Sequence, residues 1–262
     1  MIFSFVKYQG TGNDFVIVDN RDKQFPIENH GAVAQICHRN FGIGADGFIA
    51  IEEDESSDFY MRYFNADGYE GSLCGNGSRC AIHYAKSLGL AEGKVVFRAA
   101  DGLHKAHFIA DEVALELHTV SHWEHREADI FLDTGSPHHV VFVSDIHAVD
   151  VAITGAKIAH GAPYDSDGTN VNFVQQLDAD NVYVRTFERG VEAETLSCGT
   201  GVTAAALATH ISKQTTSKTI QIQTRGGNLN VSFSPTEKGY ESIVLQGPAT
   251  PVFTGKWELN QA

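Results

Sequence analysis

The chain has 262 residues, 42% hydrophobic and 20% charged, with 25 Gly and 6 Pro; this is the composition of a globular protein and excludes a disordered or collagen-like chain. No apolar run approaches the roughly 18 residues of a membrane-spanning helix. Its 33 acidic against 19 basic residues give a formal net charge of −14, which excludes a broad surface for nucleic acid or an anionic membrane, because such partners need clustered Lys and Arg.

Taken in chain order, apolar alternation predicts strands over Asp14 to Asp19, Phe48 to Glu52, Phe59 to Phe64, Lys94 to Ala99, Val140 to Val143, Val171 to Gln175, Val182 to Phe187, Thr219 to Thr224 and Leu229 to Phe233. Helical spacing predicts helices over Gly31 to Arg39, Ser78 to Leu88 and Val202 to Ser212. Before the first strand, Met1-Ile2-Phe3-Ser4-Phe5-Val6-Lys7 has no basic leader followed by a long apolar segment, so a cytoplasmic location is expected. The four cysteines (Cys37, Cys74, Cys80 and Cys198) are then expected as reduced thiols, and no Cys-x-x-Cys pair suggests zinc.

The last two predicted helices each follow a cysteine in the same setting. Glu70-Gly71-Ser72-Leu73-Cys74-Gly75-Asn76-Gly77 in the first half matches Glu194-Thr195-Leu196-Ser197-Cys198-Gly199-Thr200-Gly201 in the second. Phe59-Tyr60-Met61-Arg62-Tyr63-Phe64 likewise matches Val182-Tyr183-Val184-Arg185-Thr186-Phe187, and Gly12-Asn13 matches Gly135-Ser136. A duplicated chain tends to place equivalent elements around a shared ligand crevice. A thiol just before a helix sits where first-turn amides and the helix dipole favour negative charge, on itself or on a bound carboxylate. One such cysteine alone reads as a small buried hydrophobe beside a tight turn; two in matched contexts read as an acid/base pair.

These residues closely resemble the diaminopimelate epimerase family over nearly the whole chain. The resemblance is carried by Lys7-Tyr8-Gln9-Gly10-Thr11-Gly12-Asn13-Asp14-Phe15, by Phe64-Asn65-Ala66-Asp67-Gly68 leading into Cys74-Gly75-Asn76-Gly77-Ser78-Arg79-Cys80, by Gly168-Thr169-Asn170-Val171-Asn172-Phe173, and by Phe187-Glu188-Arg189-Gly190 leading into Cys198-Gly199-Thr200-Gly201. It implies an α/β (α+β) fold of two pseudo-symmetric halves, each a sheet wrapped around a central helix, with lobes at 1–120 (joined by 250–262) and 121–249 and the active site between them. It also implies an enzyme without cofactor or metal. Cys74 and Cys198 would be the thiolate and thiol that invert one α-carbon of LL-2,6-diaminopimelate to give the meso isomer, in lysine and peptidoglycan precursor synthesis.

The amides of Gly75, Asn76, Gly199 and Thr200 would then hold the α-carboxylate, and Asn13, Asn65, Asn170 and Arg189 would bind the rest of the substrate, with Arg189 on the distal carboxylate. Glu188 would lie near the reacting ammonium group, and His138 close to one thiol, promoting its ionisation. The plain alternatives are turn residues for Asn13 and Asn65, a surface pair for Glu188 and Arg189, and a capping role for His138. A small-molecule amino-acid substrate and a homodimer with Phe253 at its contact complete what the resemblance implies. Three departures stand out: Ser136 and Gly47 where members usually carry Asn and Gln, and one extra residue between Glu188 and Cys198.

Other signals count for less. Gly42-Ile43-Gly44-Ala45-Asp46-Gly47 spells a dinucleotide fingerprint, but a helix precedes it and a strand follows, the reverse of what that motif needs. His118, His122 and His125 read as solvent-facing, and Cys37 and Cys80 as packing residues. The competing functions are a two-cysteine racemase of proline or hydroxyproline, a thiol redox protein and a non-catalytic amino-acid binding module.

Overall fold

The structure, a computed structural model, describes residues 2–71, 73–164 and 167–259. In chain order it has strands β1 (Ile2–Gly10) and β2 (Asn13–Asp19), helix α1 (His30–Cys37), β3 (Gly47–Glu52), β4 (Phe59–Asn65), helix α2 (Gly75–Ser87), β5 (Lys94–Ala99), β6 (Gly102–Ile109) and β7 (Glu112–Leu117). There follow β8 (Trp123–Arg126), β9 (Asp129–Asp133), β10 (Pro137–Phe142), helix α3 (Val151–Ala159), β11 (Asn170–Gln176), β12 (Asn181–Glu188), β13 (Ala193–Thr195), helix α4 (Gly199–Ile211), β14 (Thr219–Thr224), β15 (Gly227–Thr236), β16 (Gly239–Gly247) and β17 (Thr250–Glu258). The fold is mixed α/β, and the chain divides into two compact units, Met1–Leu115 with Gly247–Ala262, and Glu116–Gln246.

In the first unit β1 pairs antiparallel with both β17 and β2; from β2 the pairing continues to β3 (parallel), β4 (antiparallel), β5 (parallel), β6 and β7 (both antiparallel). Strand side chains alternate in direction, so each of the central strands serves two cores. Val16, Val18, Phe48 and Ala50 pack with Val33 and Ile36 of α1. On the other parity Phe15 and Ile49 lie against Gly77 of α2, which rests on β1 to β4. Both faces are thus covered, which is why β3 (GFIAIE) reads as a nearly unbroken apolar run.

The second unit repeats this plan. β8, β9 and β10 pair antiparallel, β10 pairs parallel with β11, β11 antiparallel with β12, and β12 with both β13 (antiparallel) and β14 (parallel), followed by β15 and β16. Val174, Val182 and Val184 face Val202 and Leu207 of α4, while Val171, Phe173 and Phe187 pack with Val151 and Ala159 of α3. Helix α4 (GTGVTAAALATHI) is apolar nearly all round, as a helix buried against strands on many sides must be.

Three sequence expectations need correction. Both long helices start earlier than predicted, at Gly75 and Gly199, so the Gly-x-Gly segments lie inside the first turn and each cysteine is the N-cap residue. First-turn N–H groups have no intrahelical partner to lose, so glycine is tolerated there. Helix α3 went unpredicted because its sequence, VAITGAKIA, mixes β-branched residues with glycine; the Asp150 N-cap, whose side chain accepts from Ile153 N at 3.0 Å, was its signal. Finally, β1, β6 to β9, β13, β16 and β17 add strands that alternation did not reveal.

Candidate active site residues

Cys74 caps α2, and Asn13 and Asn76 beside it are tied by side-chain hydrogen bonds. Its sulfur accepts from Gly77 N at 3.5 Å, and its thiol donates to Asn13 Oδ1 at 3.6 Å. Asn13 is delivered by the β1–β2 hairpin, in which Gly10 pairs with Asn13 and the two loop residues, Thr11 (φ 50°) and Gly12 (φ 87°), both take the left-handed backbone that a tight two-residue hairpin requires. Asn76 Nδ2 donates to Asn13 Oδ1 at 3.3 Å, and Asn13 Nδ2 donates to Asp46 Oδ2 at 2.7 Å, so Asn13 is held from both ends.

Beneath that lies an ionic knot. Asp14 takes ion pairs from Lys7 and Arg39 at 2.6 and 2.8 Å, and Arg39 also reaches Asp46 at 2.5 Å. Burial alone would raise the Asp14 carboxyl, but the hydrogen bonds from Arg39 and Lys7 outweigh it and bring it down to about 2. Asp46 thus presents an ordered oxygen to Asn13.

Asn65 stands apart from this knot, at the exposed end of β4, where Tyr63 Oη donates to its Oδ1 at 2.9 Å. The same tyrosine crowds Gly47: a Cβ there would lie 2.6 Å from Tyr63 Cε2 and 2.8 Å from Phe64 O, so ring and backbone together occupy the room a longer side chain would need.

Cys198 caps α4 with a different retinue. Its sulfur lies 3.4 Å from Thr200 Oγ1, which lies 2.9 Å from His138 Nε2; His138 Nδ1 is 3.0 Å from Asn172 Nδ2. Thr186 Oγ1 donates to Asn172 Oδ1 at 2.9 Å, which turns the amide nitrogen toward His138. His138 Nδ1 therefore accepts, its proton sits on Nε2 and is donated to Thr200, and the Thr200 hydroxyl is left to donate to the Cys198 sulfur. His138 is fully buried, and this burial, aided by the charge of Arg189, lowers its pKa to about 3. The neutral imidazole of His138 is thus linked to the Cys198 sulfur through the Thr200 hydroxyl.

Asn170 and Arg189 meet directly, since Arg189 N donates to Asn170 Oδ1 at 3.0 Å while Asn170 Nδ2 donates to Pro137 O at 2.9 Å. The exposed Arg189 side chain donates to Asp167 O at 3.2 Å. Glu188 is the half-buried last residue of β12, and Phe253 lies elsewhere, on β17, edge-to-face with Phe5 at 5.9 Å.

After Glu188 the chain turns in the β12–β13 loop, where Glu188 pairs with Ala193 and Glu192 adopts φ 59°. Glu192 accepts from Gly190 N and pairs with His160 at 2.6 Å. Glu194 is clamped in two-pronged fashion by Arg185 (2.7 and 2.8 Å), and Arg62 grips Glu70 similarly (3.4 and 3.1 Å). Each acidic residue stands four positions before its cysteine, so in each unit an arginine fixes the segment that delivers the sulfur.

Sequence reasoning gave no role to Arg79, Asn172, Thr186 or Asp46. The available signal for Asn172 was its place two positions after Asn170, on the same face of β11.

Comparison with known proteins now decides the family. A model of the diaminopimelate epimerase family matches residues 5–121 and 130–252. The chain belongs to the diaminopimelate epimerase family. It is 46% identical over 248 residues to the diaminopimelate epimerase of Flavobacterium psychrophilum, covering 94% of this chain and 97% of that one. With that of Chlorobaculum tepidum it shares 40% over 256 residues, covering 94% and 98%. Among solved structures, a PhzF-family phenazine biosynthesis protein of Bacillus anthracis superposes with a TM-score of 0.77 at 14% identity, covering 99% of this chain and 100% of that one. A hydroxyproline epimerase from Agrobacterium vitis gives 0.66 at 14%, covering 97% and 92%. These two likenesses show the fold alone. Among the described residues no helix is long and apolar enough to cross a membrane.

Proposed function

We propose that this protein epimerises LL-2,6-diaminopimelate to the meso isomer with Cys74 and Cys198 as its acid/base pair and with no cofactor. The observation that carries this reading is the repeated geometry of the two sulfurs: each belongs to the N-cap residue of the central helix of its unit, in a chain of this family. One sulfur, as thiolate, removes the α-hydrogen; the other, as thiol, returns a hydrogen to the opposite face, and the roles exchange in the reverse direction.

An α-hydrogen beside an ionised carboxylate is a very weak acid, so the enolate-like charge needs donors aimed at the carboxylate oxygens. The first-turn amides of Gly75, Asn76, Gly199 and Thr200 are donors of that kind, supported by the helix dipoles. Asn13 and Asn65 from the first unit, and Asn170, Glu188 and Arg189 from the second, bind the remaining polar groups, with Arg189 on the distal carboxylate. His138 serves Cys198 by orienting the Thr200 hydroxyl. The reading includes a homodimer with Phe253 at its contact, a cytoplasmic location and a place in lysine and peptidoglycan precursor synthesis; the family is the support for these.

Turnover on a panel of amino acids tests the reading. Conversion of LL-2,6-diaminopimelate, with Cys74→Ala and Cys198→Ala each losing at least about 100-fold, is expected. Activity confined to proline-type imino acids would overturn it.

A further inference from the structure

Arg79 is the largest fully buried side chain among the described residues, with 0% of its surface exposed. It lies on α2, five positions after Cys74, where the matched position of the second unit is Thr203, also buried, whose hydroxyl donates to Gly199 O at 2.9 Å. Every partner of the guanidinium is neutral: Nε donates to Pro248 O at 3.3 Å, and Nη2 to Thr11 Oγ1 at 3.3 Å and to Asn76 Oδ1 at 3.0 Å. Nη1 is buried with no hydrogen-bond partner.

A cation taken out of water without a counter-charge is costly, so buried arginines are ordinarily paired. Among the described residues, no acidic, phenolic or thiol group on the surrounding elements hydrogen-bonds or ion-pairs with the guanidinium. Asp14 on β2 is paired with Lys7 of β1 and with Arg39. Tyr8 on β1 is within 3.1 Å of His83, and burial pushes its hydroxyl up to about 12. Cys80, next along the helix, is fully buried, which pushes its thiol up to about 12 as well. Glu112 on β7 acts on the guanidinium only through space, and so does Cys74. Of these, Cys74 is the group whose charge changes during the proposed reaction.

We propose that Arg79 is a positioning residue for the reaction: a desolvated, fixed positive charge that holds Asn76 against Asn13 and lowers the pH at which Cys74 ionises. Neutral Cys74 donates its S–H to Asn13 Oδ1, and ionisation forfeits that bond. The guanidinium offsets the loss, and its bond to Asn76 Oδ1 keeps the Asn76 amide nitrogen turned toward Asn13. The second unit has no such charge at the matched position, so the two sulfurs are tuned by different means: a buried cation for Cys74, a donated hydroxyl for Cys198.

This inference rests on Cys74 being an acid/base group, and its test does not need turnover. Iodoacetamide alkylation of the full-length protein is followed against pH, with Cys74 and Cys198 quantified separately by peptide mass spectrometry, in the native protein and in Arg79→Gln, Arg79→Met and Arg79→Lys. Glutamine keeps a donor without the charge, methionine keeps bulk alone, and lysine keeps the charge; circular dichroism identifies which variants are folded.

In folded Gln or Met variants the Cys74 midpoint is expected to rise by about one pH unit while that of Cys198 stays put, and Lys restores most of the native value. An unmoved Cys74 midpoint in either neutral variant, or an equal rise at both cysteines, overturns the proposal. Native protein that shows the expected alkylation pattern but does not epimerise diaminopimelate would defeat the functional reading and leave the electrostatic one standing.

Discussion

Gly201→Ala probes the chain of hydrogen bonds behind Cys198 more sharply than any substitution of the cysteine itself. The added methyl would lie 2.4 Å from Asn172 Oδ1 and 3.2 Å from Cys198 Cβ. An ordinary contact needs about 1 Å more, and Asn172 cannot retreat, because it is fully buried with one end of its amide bonded to Thr186 and the other to His138. Overpacking of this kind costs about 1–3 kcal/mol, and each buried hydrogen bond broken adds roughly 1 kcal/mol. Alanine's better helix propensity returns up to about 1 kcal/mol, leaving a net loss of about 2–4 kcal/mol.

At roughly 2–4 °C per kcal/mol for a protein of this size, Tm should fall by about 5–15 °C. Gly31→Ala in the first turn of α1 is the control: its methyl meets Asn29 Oδ1 at 3.5 Å, an ordinary contact, so it should be neutral or slightly stabilising. Thermal melts of the two variants, with turnover measured well below both midpoints, make the comparison. Gly201→Ala should also lose kcat, because displacing Asn172 releases His138 and with it the Thr200 hydroxyl. A Gly201→Ala protein that melts with the native one and turns over normally would refute the hydrogen-bond chain.

Further predictions concern acid and packing. Asp14, held at about 2 against 3.8 in an unfolded chain, contributes stability that is complete above pH 4 and is lost as pH falls through 2, so Asp14→Asn should cost about 2 kcal/mol at neutral pH and flatten that acid limb in guanidinium titrations. His138, neutral down to about 3, also has a depressed folded value; its contribution is complete above the unfolded value of 6.5 and is lost as pH falls from there toward 3, at up to about 1.4 kcal/mol per pH unit, and His138→Gln should abolish that slope. Gly47→Ala brings a methyl to 2.6 Å from Tyr63 Cε2 and 2.8 Å from Phe64 O and should destabilise by about 1–3 kcal/mol; Tyr63→Ala removes only the ring clash, so a double-mutant cycle of denaturation midpoints should show a coupling that relieves part of that cost and not all of it.

Strands with one consistent burial pattern were readable from the sequence: Lys94–Ala99 and Thr219–Thr224 fall where alternation puts them. Strand β17 was not, because PVFTGKWE lies mostly exposed along its length, has no buried face to impose a period and begins next to a proline. The glycines that looked like turns before α2 and α4 belong to the helices because a first turn tolerates them. At the site, the sequence singled out Asn13, Cys74 and Asn76, which the fold ties together, and His138, Thr200 and Cys198 likewise. It could not single out Arg79. An arginine in SRCAIHYAKS reads as a solvated residue, and its burial follows from β1 to β4 enclosing that face of α2, a tertiary fact without a local signature.

The central claim is that one sulfur takes the α-hydrogen and a different one returns it. Native enzyme given LL-2,6-diaminopimelate in heavy water and stopped at low conversion separates the possibilities. Deuterium should appear at the α-carbon of the meso product and be absent from recovered substrate, because the returning hydrogen comes from a thiol that has equilibrated with solvent. Deuterium in recovered substrate at the level found in product, or product that keeps its original hydrogen, would contradict the account.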